Sequence, residues 1–163
     1  MSSIPISVEG FQRLEKELHN LKKDRPEIIQ AIKEAREEGD LRENSGYHAA
    51  RERLGLLEAR ISFIESRMPQ FNIIDLATLG GDKAIFGATV EIEDMDTGDK
   101  KRYTLLGPDE AEPTKGSISI LSPVGQALLG KEAGDEIVVN APRGRIQYEI
   151  ISICFNGSGA PKN

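Results

Sequence analysis

The sequence predicts an α+β protein: an N-terminal antiparallel two-helix coiled-coil hairpin, then a small antiparallel β-sheet domain with a short helix. Three observations carry that expectation. Two apolar heptad runs, spanning residues 14–35 and 47–68, flank a glycine-bounded loop at Gly39–Gly46. Beyond residue 78 the apolar pattern changes to strand-like alternation. Turn signals built from Gly, Pro and Asp then recur at short intervals.

Bulk properties narrow the class. The chain has 163 residues, 38% hydrophobic and 29% charged, which is ordinary for a soluble globular protein of one domain or two small ones. Aromatics make up only 5% and Trp is absent, so a modest core and an elongated part are expected. A net charge of −6 argues against simple duplex binding. Cys154 is the only cysteine, so no intrachain disulfide or cysteine metal cluster can form. It reads as a small hydrophobe in a C-terminal strand. Met1-Ser2-Ser3-Ile4-Pro5 has neither a basic nor an apolar leader region, and no run is long enough to span a membrane. A cytoplasmic compartment is expected. The expected boundaries are 1–77 for the hairpin, 78–156 for the sheet domain and 157–163 for a mobile tail.

Ser7 is a candidate N-cap for the first helix. The seam then runs Leu14, Leu18, Leu21, Arg25, Ile28, Ile32, Ala35, in alternating steps of four and three. Arg25 is its polar intruder, and Pro26 should bend the helix without ending it. Glu15, Lys16, Lys22, Lys23, Lys33 and Glu34 fill the outer face. The pattern stops at Gly39, a natural terminator. It resumes as Tyr47, Ala50, Leu54, Leu57, Ile61, Ile64, Met68, and Pro69 ends it. Helices of about thirty residues extend roughly 45 Å. Such a hairpin suits either scaffolding or reach.

The loop between the helices carries two acids three positions apart, Asp40 and Glu43. Asp40-x-x-Glu43 has the form of a capping box for the second helix. It also has the form of half a Mg²⁺ site, because Mg²⁺ takes one or two carboxylates and fills its shell with water and substrate oxygens. A partner would supply the remaining ligands, and metal-assisted phosphodiester hydrolysis is the chemistry such a shared site favours. His19 and His48 have no second His or Cys at zinc spacing and read as surface residues. Tyr47 reads as the first seam residue of the second helix, with base stacking as its alternative. Arg36, Arg42, Arg51 and Arg53 ring this end, either paired along the helices with Glu34, Glu37 and Glu52 or facing RNA phosphates.

Phe71–Lys83 loses periodicity and reads as a linker with a Gly80-Gly81-Asp82 turn. Strands follow at Ala88–Glu93 and Lys101–Leu106, joined by an Asp96-Thr97-Gly98 turn. Ser117–Leu121 is a short strand. Pro123–Leu129 is a short helix with Pro at its start and Gly130 after its end. Glu136–Asn140 and Gln147–Phe155 are strands around Arg143-Gly144. No phosphate loop, nucleophile elbow or catalytic acid cluster occurs in this half, so binding is its default role.

Taken together, the two halves resemble the Gre family of bacterial transcript-cleavage elongation factors, GreA type. The resemblance rests on Pro26-Glu27-Ile28-Ile29, the run from Ala35 to Asn44, and Tyr47-His48-Ala49-Ala50-Arg51-Glu52. In the second half it rests on Phe86-Gly87-Ala88-Thr89-Val90, Ser122-Pro123 and Leu128-Leu129-Gly130-Lys131. It implies an FKBP-like second domain. The implied partner is bacterial RNA polymerase, whose secondary channel takes the coiled coil and whose channel rim takes the second domain. Rim contacts would involve Ser122, Pro123, Leu128 and Leu129. It further implies that Asp40 and Glu43 help hold a Mg²⁺ present only in the polymerase complex, completed by polymerase aspartates. Asn44, Ser45, Tyr47 and Arg51 would support the tip beside the nascent RNA 3′ end. The factor would stimulate the polymerase's own cleavage of backtracked RNA as a monomer, with no membrane partner, no stable cofactor of its own and no self-contained enzyme activity.

Two departures stand out. The family usually has Ala and an acid where this chain has Ser45-Gly46, which removes a tip charge and adds backbone freedom. After Ser122-Pro123 it has Val124-Gly125, where a small residue and a basic one are more usual. The hairpin is also less basic than strong RNA binding needs, which favours short cleavage products. The rivals are a Gre-like inhibitor that plugs the channel, and a prolyl isomerase or chaperone. The tip lacks the inhibitor's extra acids, and fold alone is weak ground for isomerase activity.

Overall fold

The computed structural model describes residues 3–37 and 45–155. Its elements run β1 (Ile4–Ser7), α1 (Val8–Glu37), α2 (Ser45–Arg67), β2 (Phe71–Ile74), β3 (Ala88–Asp94), β4 (Lys100–Leu106), β5 (Ser117–Ser119), α3 (Pro123–Leu128), β6 (Glu136–Ala141) and β7 (Gly144–Phe155). Short 3₁₀ turns occupy Met68–Gln70, Leu76–Thr78 and Pro113–Lys115. The class is α+β. The expected tail at 157–163 lies outside the described residues.

The chain divides into two compact units, Gln12–Phe71 and Met1–Phe11 with Asn72–Asn163. The sequence reading puts residues 1–77 wholly in the hairpin, so both ends of that range differ. The cause is pairing that sequence pattern does not reveal. β1 and β2 form a two-stranded sheet of their own, and the expected linker is therefore partly strand. Lys83, also in that linker, bridges to Glu132.

In the helical unit the heptad expectation is met. Ile28, Ile32 and Leu57 form a buried cluster, with Leu21, Tyr47, Ala50, Leu54 and Ile61 packed around it. Leu14 and Ile64 are buried further along. α1 continues through Pro26. Arg25, the polar seam residue, is exposed and extends its guanidinium to Glu58 on α2, with N···O distances of 2.7 and 3.1 Å. Two further cross-helix pairs lie on one side of it, Arg60–Glu17 at 2.6 Å and Lys22–Glu65 at 2.7 Å. Each pair is half-exposed and contributes little alone. Together they add charge complementarity to one antiparallel register.

The other unit holds a five-stranded sheet in the order β5-β4-β3-β7-β6. It is mixed, not wholly antiparallel as expected, because β5 runs parallel to β4. The reversal follows from the loop at 107–116, which carries the chain back before β5 begins. Ala88, Val90 and Ile92 alternate into the core with Ile137, Val139, Tyr148 and Ile150, and α3 packs against β5 and β6. A β-bulge opposite Glu91/Ile92 changes the phase of β7. Before it, Tyr148 and Ile150 join the core; after it, Ile153 and Phe155 do. The turn after β3 is held by Asp94, whose carboxylate accepts from the N–H groups of Asp96 (2.8 Å) and Thr97 (3.2 Å). Those backbone bonds lower the Asp94 pKa.

Glu110 is the buried acid of this unit, only 4% exposed. Its carboxylate accepts from the Ser7 N–H (3.0 Å), the Ser7 hydroxyl (2.5 Å) and the Gly107 N–H (3.1 Å). Ser7 in turn caps α1, its hydroxyl oxygen accepting from the Gly10 N–H at 3.0 Å. Gly10 lies so close that an added Cβ would collide with the Glu110 carboxylate.

Two outcomes follow from this packing. Glu110→Ala orphans three donors and should lower stability by about 2–3 kcal/mol in a denaturant titration; an unchanged midpoint would show that the buried carboxylate is not an anchor. In the hairpin, the Arg60 guanidinium hydrogen-bonded to Glu17 holds that carboxyl below the usual range. A depressed folded pKa means stability that is present above the unfolded pKa and lost as pH falls through the folded one. The melting difference between wild type and Arg60→Gln should therefore shrink on acidification through the Glu range, and shrink in high salt.

Candidate functional site

In sequence, residues 38–44 connect α1 to α2. Asp40, Glu43 and Asn44, with Arg42, lie outside the described residues. What the structure describes is the pair of helix ends that hold them. Ser45 and Gly46 are already helical, although the sequence reading leaves them in the loop. Gly46 and Gly55 both lie within α2, and each costs a helix about 1 kcal/mol, which the seam can offset. Tyr47 is half-buried against the Ile28–Ile32–Leu57 cluster, as its seam position requires. The His48 ring meets the Tyr47 ring edge-on, with centroids 5.3 Å apart and planes at 68°. The Arg36 guanidinium stands 6.0 Å from the Tyr47 ring centroid. Arg51 and Arg53 are exposed, as are His19 and His48.

Among the described residues no group of three or more His, Cys, Asp or Glu side chains is placed to hold a metal ion. The donor set of the tip, two hard carboxylates, matches a part-share of a Mg²⁺ shell and is too small for a complete one.

In the sheet unit, the expected rim residues separate. The Ser122 hydroxyl is engaged at home, accepting from the Gly125 N–H (3.1 Å) and donating to the Ser119 carbonyl (2.6 Å). Pro123 is exposed at the start of α3. Leu128 is fully buried in the core, so its side chain has no surface to give a partner. Leu129 is half-buried against the same core. The family resemblance implies Leu128 as a rim contact; here the helix turns that side chain inward. Gly125 is buried, and a Cβ there would collide with the Ser119 carbonyl and lie 3.0 Å from Ile120 Cα. No basic side chain could stand at 125 without moving backbone.

An isomerase would need an aromatic-lined pocket. Tyr148 and Phe155 are buried in the core and Tyr103 packs against it. The groove of about 470 Å³ beside β3 and β4 is lined by Glu9, Asp75, Leu76, Ala77, Gly87, Thr89 and Thr104, with no aromatic among them. No helix of the described residues is long and apolar enough to cross a membrane.

A heptad hairpin joined to a small α+β sheet unit is the class that these residues define. Comparison with known proteins makes it specific. Residues 4–73 match the family model "Transcription elongation factor, N-terminal", and residues 79–155 match "Transcription elongation factor, GreA/GreB, C-term". The chain belongs to the GreA/GreB family of transcription elongation factors and is of the GreA type. It is 78% identical over 157 residues to the transcription elongation factor GreA of Solidesulfovibrio magneticus, covering 96% of each chain. It is 49% identical to that of Thioalkalivibrio sulfidiphilus, covering 95% of this chain and 99% of the relative. Among solved structures, the GreA factor homolog 1 protein of Thermus thermophilus matches with a TM-score of 0.44 and 28% identity, over 93% of this chain and 98% of that one. The comparisons support the elongation-factor reading and not the inhibitor, isomerase or chaperone.

The sequence reading passes over Glu110 entirely, and Gly125 it treats only as a departure. Glu110 lies in Pro108-Asp109-Glu110-Ala111-Glu112-Pro113, which looks like a solvated acidic loop. Substituting Ala for Gly125 tests the close approach. The expected loss is about 1–3 kcal/mol, read as a lower melting temperature; an unchanged one would mean that α3 shifts freely.

Proposed function

We propose that this factor acts on bacterial RNA polymerase in the cytoplasm, as a monomer. It inserts its hairpin into the secondary channel, docks its sheet unit near the channel rim and stimulates the polymerase's own cleavage of backtracked RNA. It is a stimulator and not itself an enzyme. What supports the reading is the position in sequence of two carboxylates, Asp40 and Glu43, between two helices whose buried apolar residues lie in their own seam. Such a pair has no core left over for an enclosed active site. The loop is thus an incomplete site looking for its other half.

In the complex, Asp40 and Glu43 supply two carboxylates, and polymerase acids with the RNA 3′ end complete the set. Held there, Mg²⁺ would lower the pKa of bound water and neutralise charge on the scissile phosphate. Within this chain, the seam carries the loop and the aromatic and cationic groups flanking it bound its two ends. Pro123 is the exposed rim candidate in the sheet unit.

The test is RNA cleavage in halted, backtracked complexes with Mg²⁺. Wild-type protein should accelerate it. Asp40→Ala and Glu43→Ala should abolish the acceleration while polymerase affinity is unchanged. No acceleration by saturating wild type would leave a channel-plugging inhibitor in its place. A fall in affinity matching the fall in cleavage would return the two acids to a helix-capping role.

A further inference from the structure

We propose that Tyr47, bracketed by Arg36 and His48, is a positioning cluster for the tip acids. This inference rests on the cleavage reading above and adds residues to it. Arg36 belongs to the last described turn of α1, and Tyr47 and His48 to the first described turn of α2. They therefore stand at the two helix ends that flank residues 38–44 in sequence. Three contacts converge on one ring. Its apolar body packs against the Ile28–Ile32–Leu57 cluster. Its face has the Arg36 guanidinium 6.0 Å from the centroid. The His48 ring meets it edge-on at 5.3 Å.

The seam alone does not require this arrangement. A leucine at position 47 would fill the same heptad slot. Only an aromatic ring also offers a face to a guanidinium and an edge contact to imidazole. Arg36 is one residue before the end of the described α1, so its attraction to the ring links the α1 exit to the α2 entry. Metal ligation requires two carboxylates at set separation, and small displacements of the loop's ends cost rate more than affinity. The cluster touches no reacting atom, so its residues are positioning residues.

The test compares wild type, Tyr47→Leu, Tyr47→Phe, Arg36→Gln and Asp40→Ala as full-length proteins. In halted complexes with Mg²⁺, Arg36→Gln should lower the maximal stimulated rate about two- to five-fold, the rate equivalent of one exposed cation–π contact. Tyr47→Leu should lower it at least as far, and Tyr47→Phe should retain it. The factor concentration giving half-maximal stimulation should stay at the wild-type value in Tyr47→Leu, Tyr47→Phe and Arg36→Gln. A second measurement needs no polymerase. Amide hydrogen exchange at Ala35–Glu37 and Ser45–Ala49 should quicken in Tyr47→Leu and Arg36→Gln, while exchange near Leu57 stays as in wild type. Tyr47→Leu matching wild type in maximal rate and in exchange would overturn the proposal, as would exchange that quickens along the whole hairpin. If wild type and Asp40→Ala both fail to stimulate, the cleavage reading falls, and the exchange data still decide whether the cluster ties the helix ends.

Discussion

An antiparallel helix pair can bury one stripe of side chains on each partner and no more. In the helical unit that stripe runs through Leu14, Ile28, Ile32, Leu57 and Ile64, all less than a tenth exposed. Everything else there depends on it. The cross-helix ion pairs can form because the seam sets their register, and their half-exposed positions make them adjustments to it. Tyr47 has a cluster to pack on because Ile28 and Ile32 face Leu57. In sequence the two acids fall between Glu37, the last residue of α1, and Ser45, the first of α2. Losing one seam side chain, by a Leu57→Ala type of truncation, would remove about 2–5 kcal/mol from a unit with few other apolar contacts.

The sheet unit solves a different problem. It must secure a strand and a helix start that arrive from far away in sequence. It does so with a buried carboxylate. Ser7 and Glu110 are 103 positions apart, yet two hydrogen bonds join them, and a third ties Glu110 to Gly107. Gly10 and Gly107 keep the backbone near enough, the latter lying against the Pro5 carbonyl. The same Ser7 hydroxyl caps α1. One polar cluster thus ends β1, begins α1 and holds the loop after β4.

Legibility in the sequence followed range. Local periodicity located both helices, and alternation with Gly and Pro located β3, β4, β6, β7 and α3 to within a few residues. Ser7 was readable as a cap because capping is a short-range bond. β1 and β2 were not, being four residues each and separated by the whole hairpin, so neither shows alternation long enough to register. The parallel pairing of β5 was hidden for the same reason. Of the candidate site, the acids stood out by type and spacing, while the bracketing of Tyr47 needed three-dimensional placement of residues 36 and 48. Leu128, a rim residue only by the family resemblance, is 0% exposed, and which way an apolar side chain of a short helix faces is set by packing that the sequence does not display.

The central claim is that residues 38–44 meet the RNA 3′ end inside the polymerase. The most direct measurement places a photo-crosslinking amino acid at position 41, in place of Leu41 between the two acids, and irradiates backtracked complexes carrying 3′-labelled RNA. The account predicts a crosslink to the 3′-terminal nucleotides, lost when unlabelled wild-type factor competes. Crosslinks confined to the outer surface of the polymerase, with cleavage still stimulated, would contradict it.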